Sequence, residues 1–216
     1  MSESRKQIFD RLRQALGRPA SSDGVPTAVS QRLTVHPRGP LPAWSEDSVQ
    51  RFIDKVETAA GSVRRIASAS EIPAAAGEYL SRQGLPAALT IAGSPLLQGL
   101  DWPQEIDIAR REARDNDVAT LSVANAAVAE TGSLVLLSSD DTPTSLNFLP
   151  EHYICVLQRA RIFDHMEDAW DLIRQEQGQM PRAVNFITGP SRTADVEQTI
   201  QLGAHGPRQL HILLLD

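Results

Sequence analysis

The sequence has 216 residues, of which 41% are hydrophobic and 22% charged, a balance typical of a globular protein with one sizeable core. It contains no apolar run of about 18 residues that would span a membrane, and its amino terminus lacks the apolar core of a signal peptide, so we expect a cytoplasmic protein. Residues 45–216 carry 14 basic and 24 acidic side chains, and this acidic balance argues against nucleic-acid binding.

Cysteine content restricts the chemistry further. Cys155 is the single cysteine, which excludes an internal disulfide and any metal or iron–sulfur centre held by several cysteines of one chain. It lies in the apolar run 153–157, so we predict a buried thiol and not a nucleophile.

The amino-terminal region predicts a helix followed by an arm. Ile8, Leu12 and Leu16 recur at four-residue spacing within a helix over residues 4–16, and the opposite face is basic. Residues 17–44 hold five of the 14 prolines, which is typical of a linker or an extended arm. We therefore divide the chain into an arm, residues 1–44, and a main domain, residues 45–216. We expect the helix to dock on its own domain or on a neighbouring subunit, and the second case would give a homo-oligomer through the arm. The alternative is a basic helix at a membrane surface, although it would be short for stable attachment.

From residue 45 onwards, helical and strand patterns alternate. Helices are predicted at 45–61, 70–83 and 166–175, with a helical turn at 94–100. Strands are predicted at 63–67, 87–92, 105–109, 133–138, 153–158, 183–188 and 209–215, and residues 120–129 form a small apolar stretch. This alternation indicates an α/β, Rossmann-like fold: a mostly parallel sheet with helices on both faces.

The stretch from residue 186 to residue 207 is most typical of a binding site. A strand ends at Gly189-Pro190, and Asp195 with Gln198 three residues later fits a helix N-cap. A strand that leads into a helix N-terminus offers free backbone N–H groups to an anion, and ligands collect beyond the carboxyl ends of parallel strands. We therefore predict an anionic-ligand site at that rim, with a capped turn as the alternative. Its candidate residues are Gly189, Ser191, Arg192, Thr193, Asp195, His205 and Gly206, with His152.

Glu130 is the candidate catalytic residue. It interrupts an apolar stretch just before a strand, where a carboxylate is either hydrogen-bonded for structure or used as a nucleophile or general base. We expect it in the same cleft as Ser191, Arg192, Thr193 and His205. His152 begins a strand after a loop, which is also a position from which a side chain can face a cleft. No pair of possible ligands has a diagnostic metal spacing, and no P-loop or GxGxxG motif is present.

Four motifs occur in the same order as in the LUD-domain family, which the chain resembles: Ala-Glu-Thr-Gly-Ser-Leu-Val-Leu (129–136), Leu-Pro-Glu-His (149–152), Gly-Pro-Ser-Arg-Thr-Ala-Asp-Val-Glu (189–197) and Gly-Ala-His-Gly-Pro (203–207). The resemblance implies a fold similar to the sugar-phosphate isomerase and CoA-transferase superfamily. It also implies a role in oxidising L-lactate to pyruvate, beside two partner proteins that carry iron–sulfur clusters. CoA transferases of the wider superfamily use a glutamate in a Glu-x-Gly setting, and Glu130-Thr131-Gly132 looks similar.

Three functional hypotheses follow. The first is a subunit without an iron–sulfur cluster in a complex that oxidises L-lactate, with a site for a small anionic ligand. The alternative is a free-standing enzyme that acts on an acyl-CoA or a phosphorylated metabolite, with Glu130 as nucleophile or base. The third is an interaction module without a small-molecule site.

Overall fold

The structure is a computed structural model that describes residues 3–17, 27–193 and 201–216. It divides the chain into two units, Met1–Pro42 and Ala43–Asp216. Within the described residues, none of the helices has the length and apolar character needed to cross a membrane.

The first unit contains helices α1 (Glu3–Ala15) and α2 (Thr27–Val35). Helix α1 is the predicted amino-terminal helix, and it has no buried residue. The prediction of an extended arm is wrong for the residues of α2. The sequence of α2 contains neither proline nor glycine, so a helix can form there. The nearest prolines, at positions 26 and 37, flank the helix and do not interrupt it.

Every strand among the described residues belongs to the second unit. Its helices are α3 (Ser48–Thr58), α4 (Ile72–Arg82), α5 (Ser145–Phe148) and α6 (Met166–Glu176). Its strands are β1 (Ser62–Ile66), β2 (Ala88–Ile91), β3 (Asp107–Arg110), β4 (Ala119–Val123), β5 (Ala126–Val128), β6 (Ser133–Leu137), β7 (His152–Gln158), β8 (Ile162–Phe163), β9 (Val184–Ile187), β10 (Arg192–Thr193), β11 (Gln201–Leu202) and β12 (Gln209–Leu215).

Six strands form a central sheet in the order β1-β12-β7-β4-β2-β3, and every neighbouring pair is parallel. Strand β12 lies inside this sheet, and its residues from Leu210 to Leu215 are buried. A strand that is covered on both faces has an unbroken apolar sequence, which is why Ile212–Leu215 has no polar residue. The predicted α/β fold with a mostly parallel sheet is confirmed.

A second sheet has the strand order β8-β5-β6-β9. Strand β6 pairs antiparallel with β5 and with β9, whereas β5 and β8 are parallel. The apolar stretch 120–129 therefore spans two strands of different sheets, β4 and β5. Strand β9, which leads into Gly189, belongs to this second sheet and not to the parallel one.

The layers are stacked around the central sheet. On one face, α4 packs through Ile72 and Tyr79 onto apolar residues that include Leu213. On the other face, α3 packs through Phe52 and Val56 onto Ile212, beside the second sheet. Helix α6 covers the outer face of the second sheet. The helices predicted on both faces of the central sheet are present, and the second sheet is an additional layer on one side.

Two histidines are buried under α4. His211 is stacked on Tyr79 with ring centroids 4.6 Å apart, and its Nδ1 lies 2.8 Å from Ser62 Oγ. Nε2 of His211 has no hydrogen-bond partner in the described part of the chain. His152 Nδ1 lies 3.0 Å from the Tyr79 hydroxyl. Burial lowers the pKa of His152 and lowers the pKa of His211 to about 4, with smaller contributions from Arg82 and Arg64.

We predict that acid destabilises the protein through His211. The folded state binds the proton only near pH 4, whereas the unfolded chain binds it near pH 6.5, so stability is lost as the pH falls between these values. The loss from His211 is about 3 kcal/mol, because a pKa difference of one unit is worth about 1.4 kcal/mol. Urea unfolding at pH 7.5 and pH 4.5 measures the difference.

The His211→Asn variant should be less stable at pH 7.5 and should lose less stability on acidification, since asparagine does not titrate. His36→Asn is the control, because His36 is exposed and adopts a positive φ of 47° that asparagine tolerates. Equal pH dependence in the His211→Asn variant and the unaltered protein would contradict the assignment.

Candidate functional site

A cavity of about 440 Å³, here called the arginine cavity, is built mainly from two stretches of the segment 186–207. The first stretch, residues 186–192, contributes Thr188, Ser191 and Arg192, and the second, residues 205–207, contributes His205 and Gly206. The remaining wall is formed by Ala59, Asn147, Phe148, Tyr153 and Leu210. The cavity size lies within the range of about 300–1,000 Å³ that is usual for small-molecule sites.

Main-chain hydrogen bonds hold the two stretches together at Ser191. Its N–H donates to the Pro207 carbonyl at 2.8 Å, and its carbonyl accepts from Gly203 N at 3.0 Å. The His205 N–H donates to Ser191 Oγ at 3.3 Å. Strands β10 and β11 pair antiparallel just beyond these contacts. Ser191 therefore fixes the spacing between Arg192 and His205, although 12 residues separate them in sequence.

The carboxyl-terminal end of helix α3 forms part of the cavity wall through Ala59. Gly189 has a φ of +74°, and a Cβ atom there would lie 2.7 Å from both Cβ and O of Ala59, so the chain can pass this close only without a side chain. Arg192 Nη2 donates to the same Ala59 carbonyl at 3.0 Å. A cation at the negative end of a helix dipole is favourable, and this contact orients the guanidinium plane.

The polar groups of the cavity suit an anion. Arg192 and His205 are exposed and Ser191 is half-buried, and in the described part of the chain no acidic side chain pairs with Arg192. A guanidinium has five N–H donors in a planar fork that matches a carboxylate, and one of them is used by Ala59. The rings of Phe148 and Phe186 make part of the wall apolar.

Tyr153 and Asn147 are lining residues that the motif analysis missed. The Tyr153 hydroxyl lies 2.6 Å from Ser122 Oγ, and Ser122 donates to Asn147 Oδ1 at 3.3 Å. Burial holds the pKa of Tyr153 well above its ordinary value, so this phenol stays neutral. Side chains alternate along a strand, so Tyr153 could have been assigned to the face opposite His152.

The arginine cavity lies at the amino ends of the central strands and not at their carboxyl rim. Tyr153 and Leu210 are the second residues of β7 and β12, and the residues before β12 complete the wall. The predicted rim position is wrong because β9 belongs to the second sheet and not to the central one. Its carboxyl end therefore does not coincide with the carboxyl ends of the parallel strands.

His152 lies outside the cavity. It is the first residue of β7, it is 9% exposed, and it faces Tyr79 of α4 on the other side of the central sheet. The expectation that His152 faces the ligand cleft is therefore wrong. Because side chains alternate along a strand, the next residue, Tyr153, lines the arginine cavity. Asp195 lies outside the described residues, as does the side chain of Thr193.

Glu130 is also placed elsewhere. Its Oε1 accepts a hydrogen bond from Met166 N at 2.9 Å, and its Oε2 lies 3.1 Å from His165 Nδ1. Both partners begin α6, where a carboxylate satisfies free N–H groups and favours the helix dipole. Glu130 is absent from the lining of the arginine cavity, so the expectation that it shares a cleft with Ser191, Arg192 and His205 is wrong.

The motif around Glu130 is nevertheless connected to the cavity by hydrogen bonds between hydroxyl groups. Thr131 Oγ1 lies 2.7 Å from Ser133 Oγ, which lies 2.6 Å from Thr188 Oγ1. Thr188 lines the arginine cavity. This chain of side-chain hydrogen bonds therefore links the first motif to Thr188, the residue directly before the third motif.

Comparison with known proteins places this site in a family context. The LUD-domain family model matches residues 49–215. The chain is 34% identical over 119 residues to an uncharacterised protein of Neisseria meningitidis serogroup B, which is 55% of this chain and 51% of that protein. It is 26% identical over 232 residues to a lactate utilization protein C of Shouchella clausii, covering 100% of this chain and 99% of that protein.

A lactate utilization protein C of Bacillus subtilis is 33% identical over 130 residues, 54% of each chain. The match thus spans about half the length of the Neisseria and Bacillus relatives and nearly all of the Shouchella protein. The crystal structure of a DUF162 family protein from Deinococcus radiodurans matches with a TM-score of 0.58 at 19% identity, over 81% of this chain and 100% of that chain. This likeness shows a shared fold.

We predict that Gly189→Ala lowers the free energy of unfolding by about 2 kcal/mol or more. A left-handed backbone costs a residue with a Cβ about 1–2 kcal/mol, and the new methyl group would also displace Ala59. Urea unfolding measures the change. Gly178→Ala is the matched control, because nothing lies within 4 Å of a Cβ at that position, and it should stay within about 0.5 kcal/mol. Equal stability of the two variants would contradict the close approach of Gly189 to α3.

Proposed function

This chain belongs to the LUD-domain family, and from that premise we propose that it acts in lactate utilization as the subunit without an iron–sulfur cluster of a complex that oxidises L-lactate to pyruvate. In this proposal, two partner proteins carry the clusters, and the arginine cavity binds a small anionic ligand of the complex. The observation that carries the proposal is the convergence of Ser191, Arg192 and His205 on that one cavity.

The relatives support the lactate role. Proteins named lactate utilization protein C match this chain in Shouchella clausii and Bacillus subtilis. The residues that build the arginine cavity lie within the matched family domain, 49–215. This position within the family domain supports a part for the cavity in the proposed role.

Cysteine chemistry supports a subunit without a cluster. Iron–sulfur clusters are held mainly by several cysteine thiolates. This chain has Cys155 alone, which is fully buried, and burial raises the pKa of its thiol to about 12. Oxidation of lactate to pyruvate releases two electrons and two protons. In this proposal, they pass to the partner proteins, and this chain contributes binding and orientation.

The ligand chemistry follows from the cavity. L-lactate and pyruvate each carry one carboxylate, which a guanidinium binds with two parallel N–H bonds. Arg192 is oriented for this by its hydrogen bond to Ala59. Ser191 Oγ accepts a hydrogen bond from the His205 main-chain N–H, and both residues line the cavity. In this proposal, their side chains contact the hydroxyl or keto oxygen beside that carboxylate. The apolar rings of Phe148 and Phe186 exclude water from the rest of the ligand.

The alternative of a free-standing acyl-CoA or phosphorylated-metabolite enzyme depends on a reactive Glu130. Both carboxylate oxygens of Glu130 are engaged with the start of α6. No contact in the described residues places this carboxylate beside the arginine cavity, so the binding role has the better support.

We predict that Arg192→Ala weakens binding of L-lactate or pyruvate by about 10- to 100-fold, because a hydrogen bond to a charged group is worth about 1.5–3 kcal/mol. Isothermal titration calorimetry measures the dissociation constant. Arg208→Ala is the matched control for net charge: Arg208 is exposed, lies close in sequence to the cavity residues and does not line the cavity. An equal effect of both substitutions would contradict a specific carboxylate site.

The assembly is tested in the native host grown on lactate. Affinity purification of the tagged full chain should recover two iron–sulfur proteins, and a deletion strain should fail to grow on lactate. Normal growth of the deletion strain, or purification without any iron–sulfur protein, would contradict the proposed complex.

A further inference from the structure

A second cavity, of about 410 Å³, lies at the opposite end of the central sheet. It is lined where β2, β4 and β7 end, by Ser94, Val123, Asn125 and Gln158 among others. Residues that follow β6 of the second sheet, including Asp141, form the facing wall. We call it the switch cavity, because it lies where the strand order of the central sheet changes direction.

The strand order creates a crevice at this place. Strand β2 is next to β4 in the sheet, but the chain continues from β2 to β3 on one side and from β4, through β5 and β6 of the second sheet, to β7 on the other. Where the connections of two neighbouring parallel strands leave in opposite directions, the loops separate and ligands bind beyond the carboxyl ends of the strands. The switch cavity occupies this position.

Hydrogen bonds fix the walls of the switch cavity. Gly93 N, just after β2, donates to the Asp141 carbonyl at 2.8 Å, and Leu137 N donates to Asn125 Oδ1 at 2.9 Å. A Cβ at Gly93 would lie 2.9 Å from Asp141 Oδ1. The exposed Asp141 side chain therefore rests against the end of β2, and a Cβ at position 93 would displace it.

The charges of the switch cavity disfavour an anion. Among the described residues, Arg161 is the one cationic residue that lines it. Both terminal nitrogens of Arg161 are bonded to Glu176, at 2.5 and 2.9 Å. Asp141, in contrast, has no ion pair with any residue in 27–193 or 201–216. The side chains of Ser94, Gln158 and Gln177 also line the cavity and make no hydrogen bond with other described residues. The cavity thus offers one free carboxylate and several neutral hydroxyl and amide groups.

We propose that the switch cavity binds a neutral, hydroxyl-rich ligand of the ribosyl class, either a free pentose or the ribose of a nucleoside. Asp141 accepts hydrogen bonds from two vicinal hydroxyls, which is the strong acceptor geometry of an ionised carboxylate. Ser94, Asn125 and Gln158 bond the remaining hydroxyl and ring groups. This site is separate from the arginine cavity and does not depend on the role proposed for it.

Saturation-transfer NMR and calorimetry on the full chain test the site, with D-ribose and adenosine as the two probes. We expect at least one probe to bind, and adenosine to bind more tightly if the ligand is a nucleoside. Asp141→Asn should weaken that binding about tenfold or more, the loss typical of a hydrogen bond to a charged group. Asp140→Asn is the matched control, since Asp140 is exposed, carries the same charge and does not line the cavity.

Gly93→Ala is a second variant, which keeps the carboxylate but displaces it, and it should weaken binding as Asp141→Asn does. Arg192→Ala should leave ribosyl binding unchanged, which separates this test from that of the arginine cavity. Absence of binding of both probes to the unaltered chain would overturn the proposal. So would equal binding by the Asp141→Asn and Asp140→Asn variants, or displacement of the bound probe by L-lactate.

Discussion

The candidate site depends on close contacts of its loops with the carboxyl-terminal turn of α3. Two sequence motifs reach it through glycines in the left-handed region: a Cβ at Gly132 would lie 2.6 Å from Lys55 Cβ, and a Cβ at Gly189 would lie 2.7 Å from Ala59. Arg192 then bonds the last turn of the helix at the Ala59 carbonyl. Phe52 and Val56 hold α3 in the core. The contacts of Gly189 and Arg192 with Ala59 therefore anchor an otherwise exposed loop to a fixed helix.

The elements of the fold were predictable because their signals are local, whereas strand pairing was not. The periodicity of α3 and the apolar run of β12 each indicate an element by themselves. Strands β9 and β6 have similar apolar sequences to those of the parallel strands, so nothing in them specified a second, antiparallel sheet. Their pairing, Leu134 with Ile187, joins residues more than 50 positions apart. For the same reason, the sequence could not show at which end of the central sheet Gly189 lies.

The candidate site was predictable only in part, and the difference has a physical cause. Ser191, Arg192 and His205 lie around one cavity because the main chain and the hydroxyl of Ser191 form hydrogen bonds to residues 203–207. Glu130 was misplaced because its partners, His165 and Met166, are 35 and 36 residues away. His152 was misplaced because a strand-initial residue faces either side of the sheet until the neighbouring layers are known.

The two cavities differ in chemistry and in position. The arginine cavity contains the Arg192 guanidinium, and the switch cavity contains the Asp141 carboxylate; neither group forms an ion pair with another described residue. The most direct measurement of the central claim is a crystal structure of the full chain grown with pyruvate. The account predicts density for pyruvate in the arginine cavity, with its carboxylate about 3 Å from the Arg192 guanidinium. Pyruvate bound away from Arg192, or an arginine cavity that stays empty at saturating pyruvate, would contradict it.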